Sequence, residues 1–256
     1  MDVRDEIRGW WDADAAAYDS SPTHSLSDPV EAAAWQAVLA NVLPPAPGRV
    51  LDVGAGTGAL SLLAGELGHD VTALDLSEAM LEQAKGKAAD RSLELTYVVG
   101  PAEEPPPGPF DAVMARHVVW TLPHPAETLG AWRRVMRPGG RLLLFEESWA
   151  GEGPWAAAKD AVAGPVERLM GIRGDHHAPY PPTVLSRLPL RRVSSPEPFV
   201  AAVRSAGWTR IRLVRLRDVE WIAERRAPWP LGWLRHRPRY AIVAGSSPLE
   251  PERDPS

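Results

Sequence analysis

The stretch Val50-Leu-Asp-Val-Gly54-Ala-Gly56-Thr-Gly58 carries the clearest chemical signal in the chain. Glycines at a strand-to-helix junction let a ligand approach the backbone and aim a helix N-terminus at it. Gly54, Gly56 and Ala59 also satisfy the loose G-x-G-x-x-G/A dinucleotide pattern, so the loop alone leaves two ligand classes open. Asp52 stands two residues before the first glycine, where a carboxylate suits a cationic ligand better than a pyrophosphate. Gly58 completes a D-x-G-x-G-x-G spacing. Asp75 closes the next apolar run. An acid there can accept both hydroxyls of a ribose, or it can cap the helix that starts near Ser77.

Proton removal from an acceptor needs a base close to that loop. His24, His117, His124, His176 and His177 are the candidates. His69 follows the helix-ending Gly68 and His236 lies in an Arg-rich loop, so both are expected at the surface. His117 follows the fourth strand, at the edge where open α/β sheets bind ligands. It is a candidate for catalysis or acceptor contact, with a structural hydrogen bond as the alternative. His176 and His177 sit in a proline-rich stretch and either enter the pocket or lie in a solvated loop. Adjacent histidines do not form a helical ligand pair. No H-x-x-x-H or carboxylate cluster appears, so no metal is expected.

These residues need strands and helices to hold them. Two helices are expected first, over 2–19 and from a Ser27 or Asp28 cap to about 41, with Pro29 at its first position. Short apolar runs then alternate with helical stretches. Strands are expected at 49–53, 70–75, 93–99, 110–115 and 141–145, and helices at 57–67, 77–88 and 126–136. Such alternation predicts an α/β fold with a doubly wound, mostly parallel sheet covered on both faces. Residues 150–195 break the rhythm with six prolines and a helix around 155–170, as lids often do. A helix at 198–206 and strands at 210–217 and 239–244 resume it. The expected divisions are an N-terminal helical cover (1–47), a cofactor-binding core (48–149), an inserted lid (150–195), a return to the core (196–245) and a polar tail (246–256).

A chain of 256 residues with 45% hydrophobic residues is long enough for a substantial core. Its net charge of −5 argues against a nucleic-acid partner. The absence of cysteine excludes disulfides and thiol catalysis. No signal-peptide stretch or membrane span is visible, so the expected location is the cytoplasm. Residues 186–240 hold 13 Arg and only 4 acids. This Arg-rich segment either draws an anionic acceptor or, on 210–217, keeps an edge strand from pairing.

Further motifs follow the glycine loop in order. They are Val71-Thr-Ala-Leu-Asp75-Leu-Ser-Glu-Ala-Met80-Leu, Val99-Gly100-Pro-Ala102-Glu103-Glu, Phe110-Asp111-Ala-Val-Met-Ala-Arg116-His117 and Arg133-Arg-Val-Met-Arg137-Pro138-Gly139-Gly140. Together the five motifs resemble those of class I S-adenosylmethionine-dependent methyltransferases, in the small-molecule group often called ubiquinone-biosynthesis-like or type 11. The resemblance covers roughly residues 10–150 and the final strands. It implies a seven-stranded Rossmann-like sheet, with S-adenosylmethionine as cofactor and S-adenosylhomocysteine as product. It also implies that Gly54, Ala55 and Gly56 wrap the methionine part and that Asp75 holds the ribose. Leu76 and Met80 then pack near the adenine, and Ala102 and Glu103 meet its edge. Pro101 stands where the family usually has an acid, which leaves the adenine amino contact open. Arg116 offers its carbonyl to the ammonium group. Tyr18 resembles the tyrosine that closes over the cofactor, or serves ordinary helix packing. No Asn-Pro-Pro-aromatic motif follows the fourth strand, which favours a small-molecule acceptor over a nucleic acid or protein.

Tryptophan is in surplus, with 11 Trp against 3 Phe and 4 Tyr. Trp10, Trp11, Trp35, Trp120, Trp149 and Trp155 fall where this architecture places its acceptor pocket or lid. With His24, they are expected to build an aromatic wall for a flat or cationic acceptor, with plain lid packing as the rival. Trp132, Trp208 and Trp221 are expected to pack helices or strands. The expected activity is methyl transfer to a small apolar or aromatic metabolite in bacterial specialised metabolism. A dinucleotide-dependent reductase and a non-catalytic nucleotide-binding protein are the alternatives. A homodimer is one option for assembly.

Overall fold

Val-, Leu- and Ala-rich runs bounded by glycine or proline become the strands. The computed structural model describes residues 3–20, 26–147, 154–171, 180–191 and 193–246. Five parallel strands come first: β1 (Arg49–Val53), β2 (Asp70–Asp75), β3 (Thr96–Val99), β4 (Phe110–Arg116) and β5 (Met136–Glu147). With β6 (Thr209–Arg215) and β7 (Arg239–Gly245) they form one seven-stranded sheet in the order β3-β2-β1-β4-β5-β7-β6. β7 runs antiparallel between β5 and β6, pairing Glu146 with Tyr240.

Successive side chains on a strand face opposite sides, and here both sides are apolar. Leu51, Val53, Val113 and Leu144 meet Trp132, Phe199 and Trp208 on one face. Val50, Met114, Leu143 and Phe145 meet Trp35 and Leu39 on the other. Two buried indoles in the first layer find acceptors. Trp132 Nε1 donates to the Ala102 carbonyl at 2.7 Å and Trp208 Nε1 to the Leu129 carbonyl at 3.0 Å.

Helices α1 (Val3–Tyr18), α2 (Pro29–Val42), α3 (Ala59–Glu66), α4 (Glu78–Asp90) and α5 (Pro125–Arg134) accompany the parallel strands. Asp28 caps α2, its carboxylate accepting the Val30 and Glu31 N–H groups at 3.0 Å. Then come α6 (Pro154–Leu169), α7 (Pro182–Leu185), α8 (Glu197–Ser205), α9 (Arg217–Arg226) and α10 (Leu231–Leu234). No helix among the described residues is long and apolar enough to cross a membrane.

Several expectations need correction. β5 begins at Met136, not 141, because Met136 already pairs with Phe110 before a register shift over Pro138-Gly139-Gly140. α9 is an element the apolar pattern does not announce. Only Val219, Glu220 and Ile222 turn inward, while Trp221 is 56% exposed and packs no core. His69 is buried rather than at the surface, beside Gly48 and Asp111. Trp35 belongs to the core, its ring 5.4 Å from that of Phe145 and edge-on to it.

Candidate active site

The carboxyl ends of β1, β2 and β4 meet under α1. The Gly54 and Ala55 N–H groups both donate to the Leu74 carbonyl, at 2.8 and 3.0 Å, which stitches the glycine loop to β2. Gly54 has φ +65°, and a Cβ there would lie 2.3 Å from Val118 Cγ2. Gly56 (φ +55°) donates its N–H to Asp75 Oδ2 at 2.7 Å. Gly58 serves packing instead. It caps α3 at φ +83°, where a Cβ would sit 2.9 Å from Ala84 of α4, and it lines neither cavity described below. Gly54→Ala should therefore cost about 2–4 kcal/mol in urea unfolding, from left-handed backbone plus overpacking. Gly86→Ala, in the interior of α4 with nothing within 4 Å of the added Cβ, should gain about 0.5–1 kcal/mol.

Polar contacts clamp α1 over this loop. Ser77 Oγ donates to Asp12 Oδ1 at 2.5 Å and Thr57 Oγ1 to Asp19 Oδ1 at 2.8 Å. Lys87 Nζ pairs with Asp19 Oδ2 at 2.6 Å. Tyr18, at the end of α1, is thereby held against the loop, and burial raises its pKa.

Beneath α1 lies a cavity of about 420 Å³. Gly54, Gly56, Asp75, Leu76, Met80, Ala102 and Glu103 line part of it, and Trp10, Trp11, His117, Trp120 and Tyr180 supply aromatic walls. Tyr18 and Arg116 border both this cavity and a smaller one of about 20 Å³ that reaches Asp52 and Ala55. The Arg116 guanidinium lies over the Trp35 ring, 5.5 Å from its centroid. Glu103 sits 3.6 Å from Arg4 of α1.

Two carboxylates here are tuned by burial. Asp52 accepts from Ser61 Oγ at 2.6 Å, yet desolvation lifts it to about 7 against the help of Ser61 and Arg116. Desolvation also lifts Asp75 to about 6, although it accepts backbone N–H groups from Ser77 and Gly56. Asp75 therefore serves the loop and the start of α4 together, while Ser77 itself caps α4 through Met80 N–H at 3.1 Å. A cationic or hydroxyl-rich ligand would favour both ionised forms.

The aromatic walls touch one another. Trp10 lies 4.6 Å from Trp11 and 4.9 Å from Tyr180, and Trp120 lies 5.9 Å from Tyr180, all between ring centroids. Tyr180 escapes notice in the sequence, where it hides in Ala178-Pro-Tyr-Pro-Pro. Its signal is an aromatic residue within the proline-rich stretch already marked as a lid. Glu146 is equally unannounced. It is a 3% exposed acid at the penultimate position of β5. His117 has φ +57° and donates its N–H to the Phe145 carbonyl at 3.0 Å. His124 is exposed and caps α5 through its carbonyl, away from the cavity. His24, Trp149, His176 and His177 lie outside the described residues, as does the Trp155 side chain at the start of α6. Among the described residues no group of three His, Asp or Glu side chains could hold a metal ion.

A mostly parallel sheet with one antiparallel strand, a glycine loop after β1 and an acid at the end of β2 define the class I methyltransferase architecture. The chain belongs to the S-adenosylmethionine-dependent methyltransferases. Residues 51–144 match the family model described as "Methyltransferase domain". The ubiquinone biosynthesis O-methyltransferase of Xanthomonas campestris pv. campestris is 30% identical over 213 residues, covering 82% of this chain and 77% of that one. Phosphoethanolamine N-methyltransferase 2 of Haemonchus contortus superposes with a TM-score of 0.64 at 18% identity. That match covers 97% of this chain, which spans only 61% of the larger protein. Geranyl diphosphate C-methyltransferase of Streptomyces coelicolor A3(2) gives 0.62 at 14% identity, covering 96% of this chain and 98% of that one. These two likenesses concern the fold.

The family resolves the choice left open at the glycine loop in favour of S-adenosylmethionine, and the residues fit it. Gly56 leaves open space up to Tyr18, 4.0 Å from where its Cβ would be; buried Asp52 precedes the loop and half-buried Asp75 accepts from its Gly56 N–H. When bound, S-adenosylmethionine supplies an electrophilic sulfonium methyl group.

Proposed function

We propose that this methyltransferase acts on a small, flat, largely apolar or aromatic metabolite, held between Trp10, Trp11, Trp120 and Tyr180. The aromatic cluster opening into the same cavity as Asp75 and the glycine loop carries this reading. The cofactor residues take the roles given above, with Leu76 and Met80 beside the adenine and Ala102 and Glu103 at its edge. His117 borders the acceptor space and is the candidate to touch the reacting atom. A relative named an O-methyltransferase makes oxygen the first acceptor atom to test. The strong Arg-over-Lys bias and abundant Ala, Gly and Pro support a high-GC bacterial setting in which specialised metabolites are the acceptors.

The chain's own contribution is positioning and exclusion of water. α1 and Tyr180 cover the cavity, and stacked rings orient a planar acceptor. The test is turnover of a panel of planar hydroxylated aromatics with S-adenosylmethionine, alongside calorimetric binding of S-adenosylhomocysteine. Trp120→Ala and Tyr180→Ala should each weaken acceptor binding about tenfold, as loss of a stacking partner with its buried area implies. Nucleoside affinity should stay within about twofold. Unchanged acceptor affinity in both variants would leave the rings as packing only.

A further inference from the structure

Glu146 is a buried acid whose backbone contact uses only one of its two carboxylate oxygens. It stands at the end of a central strand, almost wholly buried, and no Arg or Lys pairs with it among the described residues. Its Oε1 accepts the Val119 N–H at 3.3 Å, and its Oε2 lies 3.7 Å from the buried Nδ1 of His117. The register brings the two together. Arg116 pairs with Phe145 across β4 and β5, and the His117 N–H continues the ladder to the Phe145 carbonyl, so His117 and Glu146 are the next residues out. The left-handed φ of His117 is a conformation non-glycine residues keep where the surroundings enforce it. The imidazole borders the cavity while the carboxylate does not.

We infer that Glu146 is a positioning residue that turns Nδ1 of His117 inward and leaves Nε2 to the acceptor, and that the acceptor presents an un-ionised hydroxyl whose proton Nε2 receives. This rests on the acceptor lying at the aromatic end of the cavity. The transfer balances. The acceptor O–H bond breaks and its proton goes to Nε2. The oxygen pair forms the new bond to carbon, and the carbon–sulfur pair leaves with sulfur. Positive charge thus passes from sulfonium to imidazolium, within 3.7 Å of Glu146. At that separation a carboxylate outside hydrogen-bond range still acts as a charge, and such contacts shorten once the ring is charged.

The proton-accepting form needs an ionised Glu146 facing Nδ1–H. A proton on Glu146 would instead make Nδ1 the acceptor and block Nε2. Burial, with Glu147 adding to it, holds Glu146 well above the usual carboxylate range. The other charged and titratable groups bordering the cavity with His117 are Arg4, Tyr18, Asp75, Glu103, Arg116 and Tyr180; on β7, Tyr240 is opposite Glu146 and Arg239 neutralises Glu147 at 3.3 Å. Proton acceptance therefore switches on as pH rises through the titration of Glu146.

4-Nitrophenol tests this without turnover, because its phenolate absorbs visible light. With S-adenosylhomocysteine present, the wild type should lower the ionisation midpoint of the bound probe by about one pH unit, a tenfold change in its ionisation constant. Glu146→Gln and His117→Gln should abolish the shift, and Glu146→Asp should keep part of it. Calorimetric S-adenosylhomocysteine affinity confirms that each variant is folded. If Glu146→Gln does not fold, the comparison of wild type with Glu146→Asp decides. A bound probe with the same midpoint in wild type and Glu146 variants overturns the assignment alone. A probe that does not bind the wild type at millimolar concentration overturns the aromatic-acceptor reading and this assignment with it.

Discussion

Affinity for S-adenosylhomocysteine is expected to fall about 100-fold between about pH 8 and pH 5.5, because the proposed binding mode needs both Asp52 and Asp75 ionised. In the ligand-free protein burial puts Asp52 at about 7 and Asp75 at about 6. In the proposed binding mode an ammonium group near Asp52 and ribose hydroxyls on Asp75 stabilise the charged forms, so binding lowers both pKa values and releases protons. Affinity therefore drops as pH falls, by up to tenfold per unit below about 7 and up to a hundredfold per unit below about 6. Calorimetry in buffers of different ionisation enthalpy measures both the affinity and the protons released. Asp52→Asn should lose about tenfold in affinity at high pH and keep only the shallower dependence due to Asp75. An affinity that does not change with pH would show that neither carboxylate meets the ligand. The ligand-free fold responds in the opposite sense. A carboxylate raised in the folded state stabilises most below its unfolded value, near 4. That contribution is lost as pH rises through about 6 for Asp75 and about 7 for Asp52. Asp52→Asn should accordingly raise the unfolding temperature of the ligand-free protein at high pH.

The second large effect is mechanical. Trp132→Ala should cost about 3–5 kcal/mol in denaturant unfolding, the usual range for removing a fully buried large aromatic side chain. Trp132 of α5 is 0% exposed, packed into the layer between that helix and the sheet, and its indole N–H holds the Ala102 carbonyl at 2.7 Å. Ala102 lines the cavity, so the same substitution should also weaken nucleoside binding. Trp132→Phe separates the two effects. It keeps most of the packing, leaves the carbonyl without its donor and should cost about 1–3 kcal/mol. Trp221→Ala, at an exposed position, should change stability by no more than about 0.5 kcal/mol. Equal losses at Trp132 and Trp221 would contradict the packing described here.

The sheet is legible in the sequence because a buried parallel strand must be a short apolar run, and each such run here is punctuated by glycine or proline. The glycine loop, Asp75 and His117 are legible for a related reason: each sits one or two residues past such a run. α9 is hidden because its inward face is narrow and includes Glu220, whose carboxylate accepts from Arg215 and from the Arg239 N–H at 2.7 Å. Glu146 is hidden because nothing local distinguishes it from the exposed acids elsewhere in the chain. Its meaning comes only from the neighbour that β4 brings beside β5. Tyr180 joins Trp10 and Trp120 across distances in the chain that no pattern spans. The tryptophan surplus coincides with an aromatic-lined cavity, but the count cannot sort Trp35, which lies in the core, from Trp120, which lines the cavity.

The place of β7 has a consequence for how the protein is made. β6 pairs with β7 alone among the described strands, yet it precedes β7 in the chain. On a ribosome adding about 5–20 residues per second, Arg215 emerges about 1–5 s before Arg239. During that interval β6 is a finished strand with no partner, and β5 has an open edge beside it. Arg210, Arg212 and Arg215, all exposed, keep the nascent strand charged and discourage it from joining another unfinished chain. The arginines thus protect a stage of biosynthesis as well as the outer edge of the completed sheet.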